Sequence, residues 1–414
     1  MSKLIDSYRK AVSNSKNYRM KDEAVANVGY STGFLNFDFM NGTVVHVKSK
    51  DRVGRYYSIG IPDGCFVLLI GRSGSGKTSW AVQAASNIVR PFENSAIFHD
   101  DIEGGMTAYR KAVLTGFTDE EMQNKYLSRD TGISAENVYE RIRMLHDIKM
   151  ENRQDYEYDT GLFDSYGKRI FKLYPTAYLV DSIALLMPQQ YTEEEEISGQ
   201  MSATATARMN SQLFKRLIPL IKAANIILIG INHINKKIEI NPMVHTKTQV
   251  SYLKQDETLP GGNTVVYLSN LMIRFDDGQK LKESEAFGIS GCMVDLQLIK
   301  SRNNRAGQTC TLVFDQNRGF DPELSLFVMM KNEKRINGAG SYLYIGDRND
   351  IKFSQKNLKN LLETNDEFRH IFIEEAVNLL KDMLDRYDTE DNGYKNNYSI
   401  SSEIINFINE DIAA

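Results

Sequence analysis

Cysteine is scarce in this 414-residue chain: Cys65, Cys292 and Cys310 lie far apart, with no CxxC pair and no histidine cluster beside them. That excludes a disulfide framework and a zinc ribbon, and the three read as reduced, mostly buried thiols of a reducing compartment. Long apolar runs are missing too. The longest, such as 226–231 (IILIGI), have the length of a core strand against the ~20 residues that span a bilayer, so no membrane partner is expected. The opening MSKLIDSYRKAVSNSK is too polar for a secretory core. An excess of one charge is absent as well, 50 basic side chains standing against 54 acidic ones for a net −4. This leaves nucleic acid open as a partner, because binding needs a local basic groove rather than a basic protein. There is no internal repeat or low-complexity block. With 42% hydrophobic and 25% charged residues, the composition is that of a globular protein, neither disordered nor fibrous. The expectation is a soluble, cytoplasmic protein of two or three domains at ~150 residues each, large enough to build its core without staples.

What is present changes along the chain. Residues 1–58 are polar and basic, with Lys3, Arg9, Lys10, Lys16, Arg19 and Lys21 near the start and Lys48, Lys50, Arg52 and Arg55 in an inserted loop. Both stretches suit phosphate contact and a solvated surface equally. From Ile59, apolar runs at 65–70, 96–99, 177–181 and 226–231 alternate with stretches of helical spacing. Continuous Val/Ile/Leu runs between helices predict an α/β fold with a mainly parallel central sheet covered on both faces. Thr118 and Glu121 form a capping-box signal, Val138, Ile142, Leu145 and Ile148 recur at helical spacing, and 202–224 predicts a helix that Pro219 should bend or break. Residues 293–300 and 309–314 predict an antiparallel hairpin. After Asp321 a small helix-rich module is expected, its last stretch, 382–414, carrying eight acids against two bases. The division expected is thus 1–58, an N-terminal segment with a basic insertion; 59–320, the α/β core; and 321–414, a small helical domain with an acidic tail.

The chemistry concentrates after the first strand. Gly71-Arg72-Ser73-Gly74-Ser75-Gly76-Lys77-Thr78 fits G-x-x-x-x-G-K-[ST] between a strand and a helix, with Ser79 following. Glycines let backbone N–H groups turn inward around phosphates, and the following helix adds its positive end. Lys77 is expected at the β/γ-phosphates and Thr78 on Mg²⁺. Such a loop needs a carboxylate at another strand's end to hold the metal; Asp181 stands in that setting, the competing reading being a helix-capping Asp. An acid must also orient the attacking water. Glu103 takes that role, with Asp100 and Asp101 as rivals. Two long stretches beyond strand ends, 188–202 and 233–262, lie where open α/β sheets bind ligands. The first holds Glu193–Glu196, four acids that argue against phosphate contact there. The second holds Lys236, Lys237, Lys247, Lys254 and Tyr252: cations for backbone phosphates and an aromatic for stacking, as single-strand binders need, against the plain alternative of a mobile loop.

Ser31-Thr-Gly-Phe-Leu-Asn-Phe-Asp38, Gly60-Ile-Pro-Asp-Gly64, the glycine-rich loop, Asp101-Ile-Glu103, Leu179-Val-Asp181-Ser182 and Ile231-Asn232-His233 follow one another in order. That set resembles the RecA family of recombinases and, within it, the UvsX-type phage enzymes, which His233 resembles where bacterial RecA has glutamine. The resemblance implies a RecA-like ATPase using ATP and Mg²⁺ that polymerises as a helical filament on single-stranded DNA and exchanges it with homologous duplex DNA. A single-strand-binding protein and a mediator would be further partners, and the bacterial host cytoplasm the location if a phage encodes it. It also implies roles: Tyr109 stacked on adenine; His233 sensing the γ-phosphate; Lys300 and Arg302 reaching a neighbour's nucleotide. Arg208, Ser211 and Lys215 would lie on the helix after the first DNA loop, and Gly261, Gly262 and Asn263 would close the second. The chain departs from the pattern in a long insertion between Asp38 and Gly60, a Glu103-to-Tyr109 spacing one residue short, and a loosely similar C-terminal module. Two alternatives stand beside this: a RecA-like paralogue that mediates or regulates another recombinase with little turnover, and a RecA-type replicative helicase.

Overall fold

The computed structural model describes residues 28–48, 53–164, 167–192, 203–236, 252–254, 256–282, 287–302, 305–340 and 342–388. Its frame is a nine-stranded sheet: β1 (Phe66–Gly71), β2 (Ile97–Asp101), β3 (Tyr126–Arg129), β4 (Thr176–Asp181), β5 (Ile226–His233), β6 (Leu271–Leu281), β7 (Gly291–Ser301), β8 (Thr309–Asp315) and β9 (Gly319–Asp321). The spatial order is β9-β8-β7-β6-β1-β5-β4-β2-β3. From β6 to β3 every pairing is parallel, while β6 to β9 run antiparallel. The mixed α/β architecture, mostly parallel at its centre, is therefore the one the continuous apolar runs predict.

Those runs are continuous because both faces are covered. On β1, Val67 and Leu69 pack with Trp80, Ala81 and Ala85 of helix α1 (Lys77–Val89). Phe66, Leu68 and Ile70 point the other way, toward Val138 and Ile142 of α2 (Ala135–Glu151) and Leu213, Phe214 and Leu217 of α3 (Ala203–Ala224). Phe66 and Phe214 stack with centroids 4.8 Å apart, and Trp80 meets Phe37 edge-on at 5.0 Å. Each fully buried side chain of this size contributes about 1.5–3 kcal/mol, which is where the sheet's stability comes from.

Register places the chemistry on one edge. His233 lies opposite Gly71, Asp181 opposite Ile231, and Asp101 opposite Asp181. The carboxyl ends of β1, β2, β4 and β5 thus open together, as a parallel sheet requires of a ligand crevice.

Other elements depart from expectation. Helix α3 runs through Pro219 unbroken, because the ring sits on the exposed side of an element whose opposite face is held by the core. The insertion after Asp38 is no loop but a hairpin, Thr43–Lys48 with Val53–Ser58. It is tied to residues 385–388: His46 Nε2 lies 2.8 Å from Asp388, Arg55 Nη2 3.2 Å from Asp385, and Tyr57 donates its hydroxyl to Asp385 at 3.0 Å. After Asp321 come helix α4 (Pro322–Asn332), a three-stranded antiparallel sheet (Ile336–Ala339, Tyr342–Ile345, Arg348–Phe353) and helix α5 (Asp366–Asp385), packed on Phe327, Phe353, Phe368 and Phe372. The described residues of this module are helix-rich, with Leu358–Thr364 as a further helix, and they add a small sheet that the sequence reading does not include; strands of four to six residues broken by Gly338, Gly340 and Gly346 leave too little alternation to read. Thr118 and Glu121 do form the capping box. No helix among the described residues is long and apolar enough to cross a membrane, and the three cysteines are free, Cys65 being buried.

Candidate nucleotide site

The loop from Gly71 to Thr78 leaves β1 and enters α1 through two left-handed glycines, Gly74 at φ 80° and Gly76 at φ 86°. At Gly76 a β-carbon would meet the Phe320 ring at 2.8 Å, so glycine there is required by both backbone and space. Lys77 curls over the loop, its Nζ donating to the carbonyls of Gly71 (3.0 Å) and Arg72 (2.7 Å). Burial lowers its pKa to about 8, against the pull of Asp181 and Glu103. Ser75 is buried, and Arg72 and Ser73 face solvent, with Ser79 in the first turn of α1.

At the ends of β1 and β4, Thr78 donates its hydroxyl to Asp181 Oδ2 at 2.6 Å. Asp181 is raised to about 6, chiefly by burial. A hydroxyl and a carboxylate are hard oxygen donors, and as a donor set the pair fits Mg²⁺. Glu103 follows β2, its backbone N–H donating to the Asp181 carbonyl at 3.2 Å, and its Oε1 lies 2.5 Å from His233 Nε2. Sequence reasoning named both residues but not their contact. The rival acids are occupied elsewhere: Asp100 is bound by Tyr178 and Arg141, and Asp101 is paired with Lys111 at 3.2 Å. Tyr109, 80% exposed, presents its ring at the start of the helix Ala108–Thr115.

The DNA candidates divide. Arg208 and Lys215 lie exposed on α3 with Ser211 half-buried beside them. Gly261 and Gly262 both take positive φ, at 94° and 81°. Asn210 of α3 holds the Gly261 carbonyl at 3.0 Å, Asn232 holds that of Pro260 at 2.8 Å, and Asn263 opens the next helix, Asn263–Leu268. The residue before His233 therefore grips the end of the second stretch. Lys236 is exposed; Lys237, Lys247 and the glutamates 193–196 lie outside the described residues. Lys254 is exposed, 3.7 Å from Asp276. Tyr252 packs part-buried against the second core cluster, so one side of the expected stacking ring is already taken.

Glu257 lies in the same stretch. It is buried, accepting from Arg274 at 2.8 and 3.1 Å and standing 3.5 Å from Arg72 Nη2. Its partners hold its carboxyl below the usual range despite burial, and it contributes a strut rather than a free charge. Nothing in the local sequence marks this pair, because Arg274 sits inside an apolar strand.

Lys300 and Arg302 do not approach the glycine-rich loop of their own chain. Lys300 lies in register with Met272, which faces Leu68, three residues before Gly71, or roughly 10 Å back along the strands. Its Nζ donates to the carbonyls of Val266 (2.9 Å) and Tyr267 (2.8 Å), and Arg302 also donates to Tyr267 (2.8 Å).

No family model matches the chain. It is similar to Protein RecA of Acholeplasma laidlawii, 23% identical over 313 residues that cover 73% of this chain and 77% of that protein. Protein RecA of Mycoplasma mobile is 23% identical over 310 residues, 74% and 78% of the two chains. For Protein RecA of Staphylococcus epidermidis the figures are 21% over 346 residues, 81% and 83%. The likeness is distant and spans most of both chains, and it supports a RecA-like recombinase, ATPase and DNA-binding protein at the level of the family.

Proposed function

We propose that this chain is an ATP-dependent recombinase of the RecA family that polymerises on single-stranded DNA, pairs it with homologous duplex and exchanges strands. The observation that carries the reading is the shared edge at which Thr78 meets Asp181 at 2.6 Å and Glu103 meets His233 at 2.5 Å. These are a phosphate loop, a metal-holding pair and a base beside a sensor, all at the carboxyl ends of parallel strands.

In this scheme backbone N–H groups of residues 71–78 cradle the phosphates and Lys77 leaves its carbonyl partners for the β/γ-phosphates. Tyr109 covers the adenine. Mg²⁺ held by Thr78 and Asp181 supplies neutralisation of the phosphate charge. Glu103 takes the proton of the attacking water, and His233 is positioned to exchange its Glu103 contact for the γ-phosphate. Because Asn232 holds the Pro260 carbonyl, that exchange is passed to residues 236–263 and the DNA they contact with Lys236, Lys237, Lys247 and Lys254, helped by Arg208, Ser211 and Lys215. Lys300 and Arg302 complete the nucleotide site of the next protomer, and a head-to-tail contact that does not close generates a helix. Residues 59–320 form the motor, 1–58 the oligomerisation segment and 321–414 the C-terminal domain. The closeness to UvsX-type phage enzymes, and with it a host-cytoplasm location, rests on His233.

Electron microscopy with a slowly hydrolysed ATP analogue and single-stranded DNA tests the scheme: extended filaments are expected, absent in Lys77→Ala. Nucleotide-stimulated DNA binding that survives Lys77→Ala overturns it. A strand-exchange assay separates the recombinase from a mediator with little turnover.

A further inference from the structure

His99 and Asp101 alternate along β2 and so lie on one face of the sheet, and Asp181 of β4 stands directly opposite Asp101. All three are buried, at 1%, 3% and 3% exposure. Each carries one buried polar atom without a hydrogen-bond partner: His99 Nε2, Asp101 Oδ2 and Asp181 Oδ1. Buried polar atoms without a hydrogen bond are rare singly, and here three lie together. Ligand atoms of the three residues lie within 4.8 Å of one another, close to the ~4.3 Å that opposed ligands span across a single ion.

The surroundings suit a cation. His99 Nδ1 is engaged with the Tyr126 hydroxyl at 2.8 Å; with its proton given to that oxygen, Nε2 keeps its lone pair for the cluster. Lys111 stands in ion-pair contact with Asp101 Oδ2 at 3.2 Å and donates its hydrogen bond to Ser128 at 2.7 Å. It offsets one of the two carboxylate charges, and the other is left to a cation beside the imidazole. Asp181 already gives its other oxygen, Oδ2, to Thr78, so the two oxygens of one side chain serve two different faces.

We infer that His99, Asp101 and Asp181 form a second, interior metal site for a divalent transition ion of the Mn²⁺, Co²⁺ or Zn²⁺ type. One nitrogen and two carboxylate donors select such ions over Mg²⁺. The ion fixes Asp181 from behind while its outer oxygen meets the nucleotide face, and it needs no nucleotide in order to bind.

The test uses tag-free, full-length, nucleotide-free protein titrated with Co²⁺ alone and with Mn²⁺ alone. One equivalent of Co²⁺ should develop a d–d absorption, and bound Mn²⁺ should show a histidine nitrogen coupling in pulsed EPR. His99→Gln and Asp101→Asn should each weaken binding by about tenfold or more, with His99→Gln also erasing the nitrogen coupling. Thr78→Ala and His233→Ala should leave both signals in place. Circular dichroism establishes that each variant is folded, and the nitrogen coupling of the unmutated protein is read independently of them. Absence of a nitrogen-ligated ion in the unmutated protein, or its loss in Thr78→Ala or His233→Ala rather than in His99→Gln, overturns the site.

Discussion

Glu103 and His233 follow or end strands that are not neighbours and meet at 2.5 Å; in the proposed scheme hydrolysis depends on this one carboxylate. Glu103→Gln should lower turnover by about 10²–10⁴ while leaving nucleotide-dependent DNA binding intact, since proton transfer is the step it serves; single-turnover hydrolysis beside a DNA-binding titration reads the two apart. Lys149 gives a pH signature of its own. Only 3% exposed, it caps the carbonyls of Tyr174 (2.7 Å) and Ala224 (3.0 Å), and burial lowers its pKa from 10.5 to about 7. Between those values the unfolded chain holds a proton that the folded chain lacks, so stability contributed through this group rises with pH across that window. Urea unfolding at pH ~7 and ~9.5 should show the parent protein gaining on Lys149→Met by as much as about 3 kcal/mol; a gap that stays constant would refute it. At this scale the glycine-rich loop, Asp181 and Glu103 were legible because their chemistry is local in sequence. Lys149 and the Arg274–Glu257 strut were not, because a charge inside an apolar run looks like surface until its partner arrives from elsewhere in the fold.

Between the nucleotide edge and the DNA candidates the connection is a pair of asparagines and two glycines. Asn232 and Asn210 hold the carbonyls of Pro260 and Gly261, and a β-carbon on Gly262 would come within 2.9 Å of Ala207 at φ 81°. Gly262→Ala should therefore displace the end of residues 236–263 and weaken ATP-stimulated DNA binding, with ATP affinity unchanged, as fluorescence titrations with labelled nucleotide and labelled DNA would show. Thr118→Ala removes a capping box whose residues belong to neither site and should cost about 1 kcal/mol of stability with no effect on either titration. Elements with strong period and caps, such as Ala135–Glu151, were readable. The three-stranded sheet after Ile336 was not, since short strands draw their stability from the helices covering them rather than from their own alternation.

For the molecule as a whole, Lys300 and Arg302 lie away from their own chain's glycine-rich loop, bonded to the carbonyls of Val266 and Tyr267, and the proposed scheme assigns them to a neighbour's nucleotide. A Lys300→Ala/Arg302→Ala double variant and Lys77→Ala should each lack DNA-stimulated ATPase. Mixed one to one, they should recover activity at the interfaces where intact halves meet, about a quarter of them in a random head-to-tail array; no recovery would place Lys300 and Arg302 outside the site. The acidic end also changes meaning. Asp385 and Asp388 are bound to Arg55 and His46, so a truncation probing whether the tail competes with duplex DNA belongs after Asp388, where it spares the hairpin.

The sequence by itself determined the parallel α/β frame, the phosphate loop and the acids at the strand ends, because hydrophobic continuity and glycine chemistry act within a few residues. Only tertiary structure decided that Asp100 and Asp101 are engaged by other side chains while Glu103 meets His233, that the inserted hairpin is pinned to Asp385 and Asp388, and that His99, Asp101 and Asp181 converge. Those outcomes depend on strand order and register, which bring together residues that no local pattern relates.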